Sequence, residues 1–363
     1  MAMAHTPTPP PAQSRTQAHA QSHEQAHGQS HEQAHGQPAS ILGRSGVIIV
    51  DKPSGMSSHD VVARLRRIMG TRRVGHSGTL DPMATGVLVV GVERGTKFLA
   101  HVVTHDKRYE ATMRLGASTV TDDAEGDVLS TAAPELLGSL DDDSIRAACA
   151  ALVGDIQQKP TSVSSIKING RRAHELVREG QEVDIPARPV TVHSLEVHSI
   201  TRVGGAAADG SGGTNTTNGA NGANTTKAPE AIDVVISVHC SSGTYIRAIA
   251  RDVGAELGVG GHLTQLRRTS VGPFDIAEAK TLEQLAENPQ LSLSLDDAMI
   301  RCFPTREITE EQATNVALGK WLEPVGKRGV YAVVTPTGHA YALLKEKGAR
   351  AASVFVARPH GLD

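Results

Sequence analysis

The chain has 363 residues, of which 39% are apolar and 2% aromatic, and its 36 basic and 39 acidic side chains give a net charge of −3. This length is typical of about two domains, and no apolar stretch approaches the roughly 20 residues of a membrane-spanning helix. The first forty residues lack the apolar segment of a secretory signal, and the three widely spaced cysteines argue against a disulfide framework or a zinc site. We therefore expect a soluble, cytoplasmic protein with reduced cysteines.

Two segments have low complexity. Residues 1–43 are rich in His, Gln and Ala, and the octad that starts at His23 recurs almost unchanged from His31. Such a segment has too little apolar surface to offset its ordering entropy, so we expect a disordered tail. Histidines spaced by four could also bind a metal if the tail were helical. Residues 203–230, rich in Gly, Asn and Thr, lie between two strand-like segments and indicate a surface-loop insertion.

The remaining sequence predicts a mixture of strands and helices. In chain order we expect a strand at 46–50, a helix capped by Ser58 and ending at Gly70, strands at 87–92, 108–115 and 232–240, and a helix from Thr244 to Gly258. These elements follow no regular βαβ order. The pattern therefore favours an α+β fold with a mixed, mostly antiparallel sheet and flanking helices.

The character of the sequence changes after about Arg301. Residues 331–334 and 340–344 are strand-like, and a Pro–Thr–Gly turn separates them, which indicates a hairpin. We therefore expect a main domain at 44–300, which contains the 203–230 insertion, and a small β-rich domain at 301–363.

The most informative motif runs from Arg72 to Gly86. It is a Gly-rich loop that carries one carboxylate, Asp81, and the proline that follows favours an extended backbone there. This could hold the carboxylate toward a ligand, although an ordinary structural Asx-Pro turn is the alternative. A Walker-type phosphate loop is excluded because its motif is absent.

Two other residues stand out. Arg247 lies in the first turn of a predicted helix, which is unfavourable for a cation unless an acidic group or a phosphate is close. The alternative is an exposed arginine. Tyr109 lies on the apolar face of an alternating strand, where a tyrosine is usually part of the core.

Basic residues occur in four clusters within otherwise globular segments. Each cluster could be a solvated face, but together they make a phosphate-binding groove reasonable. The clusters are Arg64/Arg66/Arg67, Arg72/Arg73, Arg171/Arg172 and Arg267/Arg268.

These motifs together resemble the TruB family of pseudouridine synthases. The stretches that carry the resemblance are 51–56, 78–86, 107–109, 114–116, 122–126, 160–170, 243–247 and 266–268, in the family's order. The resemblance covers roughly residues 44–300, and the last 60 residues look like the family's PUA-like RNA-binding domain. Val163 and His174 depart from the pattern, because the family commonly has tyrosines there.

The resemblance implies a role for each matching residue. Asp81 corresponds to the catalytic aspartate, Arg247 to the arginine that pairs with it, and Tyr109 to the tyrosine that stacks on the target uracil. The Tyr109 hydroxyl could also help to remove the C5 proton. His76 corresponds to the histidine near the flipped-out base. The other residues expected to bind substrate are Lys52, Tyr245, Leu266, Arg267 and Arg268.

The implied activity is isomerisation of uridine 55 in the TΨC loop of tRNA to pseudouridine. The enzyme must break the N1–C1′ bond and rejoin uracil through C5, which requires no cofactor and no metal. An ionised Asp81, favoured by a nearby arginine, could attack C1′ or remove the 2′ proton. We expect a monomer that acts without guide RNA or membrane. The alternatives are a guide-RNA-dependent rRNA synthase and a tRNA-folding factor with secondary catalysis.

Overall fold

The computed structural model describes residues 40–161, 167–168, 171–172, 185–204 and 230–362. The tail, most of the 203–230 insertion, and the positions of Val163 and His174 lie outside these residues. Residues 39–363 form one compact unit. None of the helices in the described ranges has both the length and the apolar character needed to cross a membrane.

Eighteen strands lie within the described residues. They are β1 (Gly46–Lys52), β2 (Val74–Ser77), β3 (Thr85–Val92), β4 (Lys107–Leu115), β5 (Ala117–Thr119), β6 (Val128–Thr131), β7 (Gly154–Gln158), β8 (Lys167–Ile168), β9 (Arg171–Arg172), β10 (Arg188–Val203), β11 (Ala231–Cys240), β12 (Gly261–Val271), β13 (Phe274–Asp275), β14 (Leu293–Ser294), β15 (Thr305–Glu307), β16 (Val330–Val334), β17 (Ala340–Lys347) and β18 (Arg350–Val356).

Eight α-helices are present in the same part of the chain. They are α1 (Ser58–Ile68), α2 (Gly95–Val102), α3 (Pro134–Ser139), α4 (Asp142–Ala150), α5 (Ile246–Glu256), α6 (Leu282–Glu287), α7 (Leu295–Cys302) and α8 (Glu310–Ala317).

Ten strands form one large sheet. Its order is β14-β1-β3-β12-β4-β11-β10-β7, with β2 added to β3 and β13 to β12. All pairings in this sheet are antiparallel except that between β3 and β12, which consists of two residue pairs. The predicted α+β fold with a mostly antiparallel sheet is therefore confirmed.

A second sheet lies near the C-terminus. Its four strands run in the order β15-β16-β17-β18, and the predicted hairpin is the β16–β17 pair. One face of this sheet packs with α8 in an apolar cluster of its own, and the other face packs against the main part of the chain. Ala332, Leu343 and Phe355 share an apolar cluster with Ile49 and Phe98 of the large sheet and its α2 helix. The two sheets are therefore joined by a common core.

Most of the predicted elements are present with small shifts in their ends. The alternation predicted for residues 108–115 is confirmed, because every second residue of β4 from Lys107 to Leu115 is buried. The predicted cap of α1 is wrong by one residue. Ser57 caps the helix, with Asp60 completing the capping box. Ser58 is buried instead, and its hydroxyl exchanges two hydrogen bonds with the backbone of Leu80.

The parallel contact between β3 and β12 explains the last glycine of the Asp81 motif. Gly86 has a φ of +99°, and a Cβ there would lie 2.2 Å from the carbonyl oxygen of Arg268. A side chain at this position would therefore be strained twice, by its backbone conformation and by a backbone clash. Gly86 allows the two strands to come together directly after the Asp81 loop.

Replacing Gly86 with alanine should destabilise the protein by about 3 kcal/mol. Gly154→Ala is the matched control, because Gly154 also has a positive φ of +113° but open space around it. The control should lose about 1 kcal/mol, the cost of the left-handed conformation alone. Urea unfolding of both variants measures the difference, and equal losses would contradict the close-packing explanation.

Candidate active site

A cavity of about 340 Å³ opens where the 78–81 loop meets β4, β12 and the start of α5. Six of the nine residues predicted from the sequence line it. They are Asp81, Tyr109, Tyr245, Arg247, Leu266 and Arg268. His76, Lys52 and Arg267 do not line it. The structure thus brings together residues that are up to 187 positions apart, since the first of the six is Asp81 and the last is Arg268.

An ion pair between Asp81 and Arg247 lies on the wall of this cavity. Nε of Arg247 is 3.1 Å from Oδ2 of Asp81, and the two side chains are 6% and 38% exposed. The carboxylate is therefore accessible from the cavity, whereas the guanidinium is enclosed. The alternative of an exposed arginine at position 247 is wrong.

Arg247 also contacts a second carboxylate, which the sequence analysis did not assign to the site. Its Nη1 donates to Oδ2 of Asp123 at 3.0 Å and to the carbonyl of Thr121 at 2.8 Å. Asp123 is almost completely buried. Two carboxylates offset the unfavourable position of a cation in the first turn of α5. The only sequence signal was the family-like 122–126 segment.

The neighbouring Asp122 belongs to a separate buried network. Its carboxylate accepts hydrogen bonds from Thr161 at 2.9 Å and from Arg251 at 3.2 Å. Burial raises the pKa of Asp122 above its ordinary value, and Arg251 partly opposes this. Asp122 and Asp123 therefore fasten two arginines of α5 to the same short segment.

The backbone around Asp81 is held from three sides. Nζ of Lys52 donates to the carbonyls of Pro53, Met56 and Pro82 at 2.8, 2.6 and 3.1 Å. Ser58 bonds both backbone groups of Leu80, and Nη2 of Arg268 donates to the carbonyl of Gly78 at 2.9 Å. Because residues 78, 80 and 82 are each fixed, the orientation of the Asp81 carboxylate is set in advance.

Tyr109 and Tyr245 supply aromatic surface to the cavity. Tyr109 is 7% exposed, and burial raises the pKa of its phenol, so the hydroxyl is protonated at neutral pH. Burial likewise raises the pKa of Tyr245. Gln158 of β7 fixes the backbone of Tyr245 through reciprocal hydrogen bonds of 2.7 and 3.0 Å.

Lys107 is a cavity residue to which the sequence analysis gave no role. Its ammonium donates to the carbonyls of Val103 and His105 at 3.1 and 2.7 Å. Burial lowers its pKa to about 8. The lysine of the Lys–Arg–Tyr motif therefore braces the cavity wall.

His76 lies on β2, outside the cavity lining. Its ring packs edge-on against His59 at 5.3 Å, and its Nδ1 has no hydrogen-bond partner among the described residues. Burial lowers the pKa of His76 to about 4, so the ring is neutral at physiological pH. Its contact with a flipped-out base stays a prediction.

Arg267 and Arg268, for which phosphate contacts were predicted, both make contacts within the protein. Arg268 is 1% exposed, and its Nε donates to the carbonyl of Val87 at 2.7 Å. Arg267 forms a two-point ion pair with Asp51, at 2.8 and 3.0 Å. Both guanidinium groups are engaged within the protein, so the geometry supports bracing of the site wall over phosphate binding at this end of the proposed groove.

Other clusters of the proposed groove are differently placed. Arg72 and Arg73 are exposed, and among the described residues the ion pair that they form joins Arg73 to Glu93 at 3.6 Å. The side chains of Arg171 and Arg172 lie outside the described residues. A phosphate contact by the exposed Arg72 and Arg73, which directly precede β2, stays a prediction.

The sequence of this chain matches models of known protein families. Residues 66–208 match the N-terminal domain of TruB family pseudouridylate synthases. Residues 247–302 match the C-terminal domain of tRNA pseudouridylate synthase B, and residues 303–358 match the C-terminal model of tRNA pseudouridine synthase II. The chain belongs to the TruB family. It is therefore a pseudouridine synthase, as the motifs predicted.

Curated relatives match this chain over almost their whole length. The tRNA pseudouridine synthase B of Corynebacterium jeikeium (strain K411) is 66% identical, covering 89% of this chain and 98% of that protein. The protein of the same name from Rhodococcus jostii (strain RHA1) is 51% identical, covering 89% and 97%.

Solved structures show the same fold. A Cbf5-Nop10-Gar1 complex contains a chain with a TM-score of 0.62 and 25% identity, covering 90% of this chain and 89% of that one. An H/ACA ribonucleoprotein bound to a substrate RNA containing 2′-deoxyuridine gives 0.61 and 22%, with 89% and 87% covered. The chain therefore shares its α+β architecture with these two structures.

The ammonium of Lys52 gives a pH-dependent test of the loop anchor. Burial lowers its pKa from 10.5 to about 8, so between these values the unfolded chain binds more protons and stability rises with pH. The quantity to measure is the melting temperature of the wild type minus that of Lys52→Met. This difference should increase from pH 8 to 10.5 and should be constant below pH 8. Lys107 titrates in both proteins, so its contribution to the pH dependence cancels in the difference. A difference that does not change with pH would contradict the assignment.

Bracing and phosphate binding by Arg268 can be separated by measurement. Arg268→Ala should destabilise the protein by about 3 kcal/mol or more, because two buried carbonyls lose a charged donor. The slope of log affinity against log salt for tRNA should not change. Arg72→Ala is the contrast, for which we expect a flatter slope and an unchanged melting temperature. A flatter slope for Arg268→Ala would show that Arg268 contacts phosphate, as the groove hypothesis predicted.

Proposed function

We propose that this enzyme converts uridine 55 in the TΨC loop of tRNA to pseudouridine. The observation that carries the proposal is the accessible Asp81 carboxylate, held by a buried Arg247 in a cavity that also contains Tyr109. The curated relatives are named tRNA pseudouridine synthase B, which supports tRNA as the substrate. The substrate position follows from the resemblance of the whole motif set.

The reaction needs a group that acts at the ribose and a surface that retains the free base. We assign the first role to Asp81, which either adds to C1′ or removes the 2′ proton as the N1–C1′ bond breaks. Uracil then turns within the cavity and C5 bonds to C1′, as the Asp81–C1′ ester breaks in the first route or Asp81 returns the 2′ proton in the second. The C5 proton is lost and N1 gains a proton. Atoms and charge balance in either route, so the isomerisation consumes no oxidant and no water.

Tyr109 is suited to hold the detached base. Its ring is fixed in β4 at the cavity wall, and aromatic rings retain bases by stacking without sequence-specific hydrogen bonds. Leu266 supplies apolar surface in the same cavity. Because burial raises the pKa of the phenol, Tyr109 acts as a neutral stacking surface when the base arrives.

Access to uridine requires extrusion from the folded loop. Flipping a nucleotide out of a stack costs a few kcal/mol, and contacts to the surrounding RNA must offset this cost. We assign such contacts to the exposed basic residues near β2 and to residues 301–363 as an RNA-binding domain. The protein is proposed to act as a monomer.

A stand-alone tRNA enzyme is favoured over a guide-RNA-dependent one. The tRNA relative that is 66% identical is matched over 98% of its length, whereas the likeness to the H/ACA structures concerns the fold. Purified protein should therefore form pseudouridine on an unmodified tRNA transcript without guide RNA. A requirement for guide RNA would overturn the proposal.

Asp81→Asn should abolish pseudouridine formation and leave tRNA binding within about tenfold, or 1.4 kcal/mol. The amide keeps the shape of the side chain but can neither attack C1′ nor accept the 2′ proton. Asp252→Asn is the matched control, because Asp252 pairs with Arg251 outside the cavity lining, and it should retain activity. Product is measured by nuclease digestion and mass spectrometry.

Residual turnover above about a percent of wild type in Asp81→Asn would contradict the role of this carboxylate. A tRNA transcript with cytidine at position 55 gives the second control. It should bind the enzyme without yielding pseudouridine, and product on this transcript would disprove the assigned position.

A further inference from the structure

Three potential metal ligands converge beside the β4, β10 and β11 strands of the large sheet, outside the lining of the catalytic cavity. Asp106 lies in the α2–β4 connection, His193 in β10 and His239 in β11. Their ligand atoms all lie within 4.8 Å of one another. None of the three lines the cavity that contains Asp81. The sequence analysis predicted no metal, because the cysteines are widely spaced and the implied reaction requires none.

Irregular pairing of β10 and β11 places the two histidines together. Val192 pairs with Cys240 and Ser194 pairs with His239, so His193 is an extra residue in a β-bulge. A bulge changes the direction in which a side chain points, compared with the regular alternation of a strand. The two imidazole rings consequently lie 4.7 Å apart, at an angle of 47°.

Asp106 is fixed beside these histidines by the backbone. Its carbonyl accepts a hydrogen bond of 2.8 Å from the amide of Gly272, and the next residue begins β4, which pairs with β11. Oδ2 of Asp106 lies 3.1 Å from Nε2 of His193 and 4.0 Å from Nε2 of His239. All three ligand positions are therefore held by paired strands or by a backbone hydrogen bond.

We propose that Asp106, His193 and His239 bind a divalent transition-metal ion of the zinc type. Ligand atoms around tetrahedral zinc lie about 3.4 Å apart, given bond lengths near 2.1 Å. The distance of 3.1 Å between Asp106 and His193 is close to this value, and the distance of 4.0 Å between Asp106 and His239 is somewhat longer. Two imidazoles and a carboxylate leave a fourth position for water.

An ordinary ion pair explains only part of this arrangement. The contact between His193 and Asp106 has hydrogen-bond length, but His239 is too distant from the same oxygen for a hydrogen bond. Both histidines nevertheless direct Nε2 toward one carboxylate oxygen. Arg108 pairs with His239 across β4 and β11, and its positive charge would repel a bound cation. The negative charge of Asp106 counteracts this repulsion.

The site is suited to a stabilising role. Asp106 precedes Lys107, and His239 precedes Cys240 and the 242–247 segment, and both Lys107 and that segment line the catalytic cavity. An ion shared by the three side chains would tie β4, β10 and β11 together at the end nearest the cavity. It would stabilise the cavity wall and take no part in the isomerisation.

Zinc titration of the full-length protein tests this proposal. The histidine-rich tail can bind zinc as well, so the informative quantity is the difference between wild type and His193→Ala. We expect the variant to bind one fewer Zn²⁺ per chain by calorimetry, and to lose the zinc-dependent rise in melting temperature seen in the wild type. Asp106→Asn should weaken binding at this site at least about tenfold, which keeps the test independent of how His193→Ala folds.

His198→Ala is the matched control. His198 is exposed on the same strand, at its second bulge, and lies outside the cluster. It should bind as many zinc ions as the wild type. Equal stoichiometry and affinity in wild type, His193→Ala and Asp106→Asn would overturn the proposal.

Pseudouridine formation separates this site from the reaction. The proposal requires turnover in excess EDTA to equal that of the untreated enzyme at a temperature where both are folded. Loss of turnover on chelation, restored by zinc with the tRNA fold unchanged, would overturn the assigned stabilising role. The result is independent of the identity of the uridine that is modified.

Discussion

A buried guanidinium that contacts two carboxylates is the interaction on which the site depends. Arg247 reaches Asp81 from one side and Asp123 from the other. Removing one partner of a buried charge pair typically costs 3–5 kcal/mol, since the remaining charge is left without compensation. The 78–84 loop, the 121–126 segment and the start of α5 are thereby linked. Of these two carboxylates, Asp81 lines the cavity and Asp123 does not.

Other basic side chains near the cavity serve its backbone. Lys52, Lys107 and Arg268 each donate to main-chain carbonyls. Buried carbonyls in irregular loops lack strand or helix partners, and a charged donor satisfies them more strongly than a neutral one. This explains how a chain with a small negative net charge carries many cations near its site while leaving few of them for RNA.

The sheet brings these loops together through one short contact. β3 follows the Asp81 loop and pairs with β12 over two residue pairs, at Arg267 and Arg268. Strands β12, β4 and β11 then lie side by side, so the Asp81 loop, Tyr109 and the start of α5 meet at one place. The shared apolar cluster continues into the C-terminal sheet. The proposed RNA-binding part is therefore packed against the rest of the protein.

The sequence by itself determined the elements whose patterns are local. The alternation of β4, the apolar stripe of α5 and the Asp81 loop depend on residues within a few positions of one another, so short-range sterics and burial define them. The family motifs then selected Asp81, Tyr109 and Arg247. Two adjacent serines were harder to separate, because either could cap α1 and only the extended backbone at Ser57 decided between them.

The tertiary structure decided what each charged side chain does. Arg247 and Asp123 are 124 residues apart, and the burial of Arg268 follows from the pairing of β12 with β3. The Asp106–His193–His239 cluster depends on a bulge in β10. Strand register and bulges result from packing of the whole sheet. A local residue pattern therefore does not show which distant strand will pair with it.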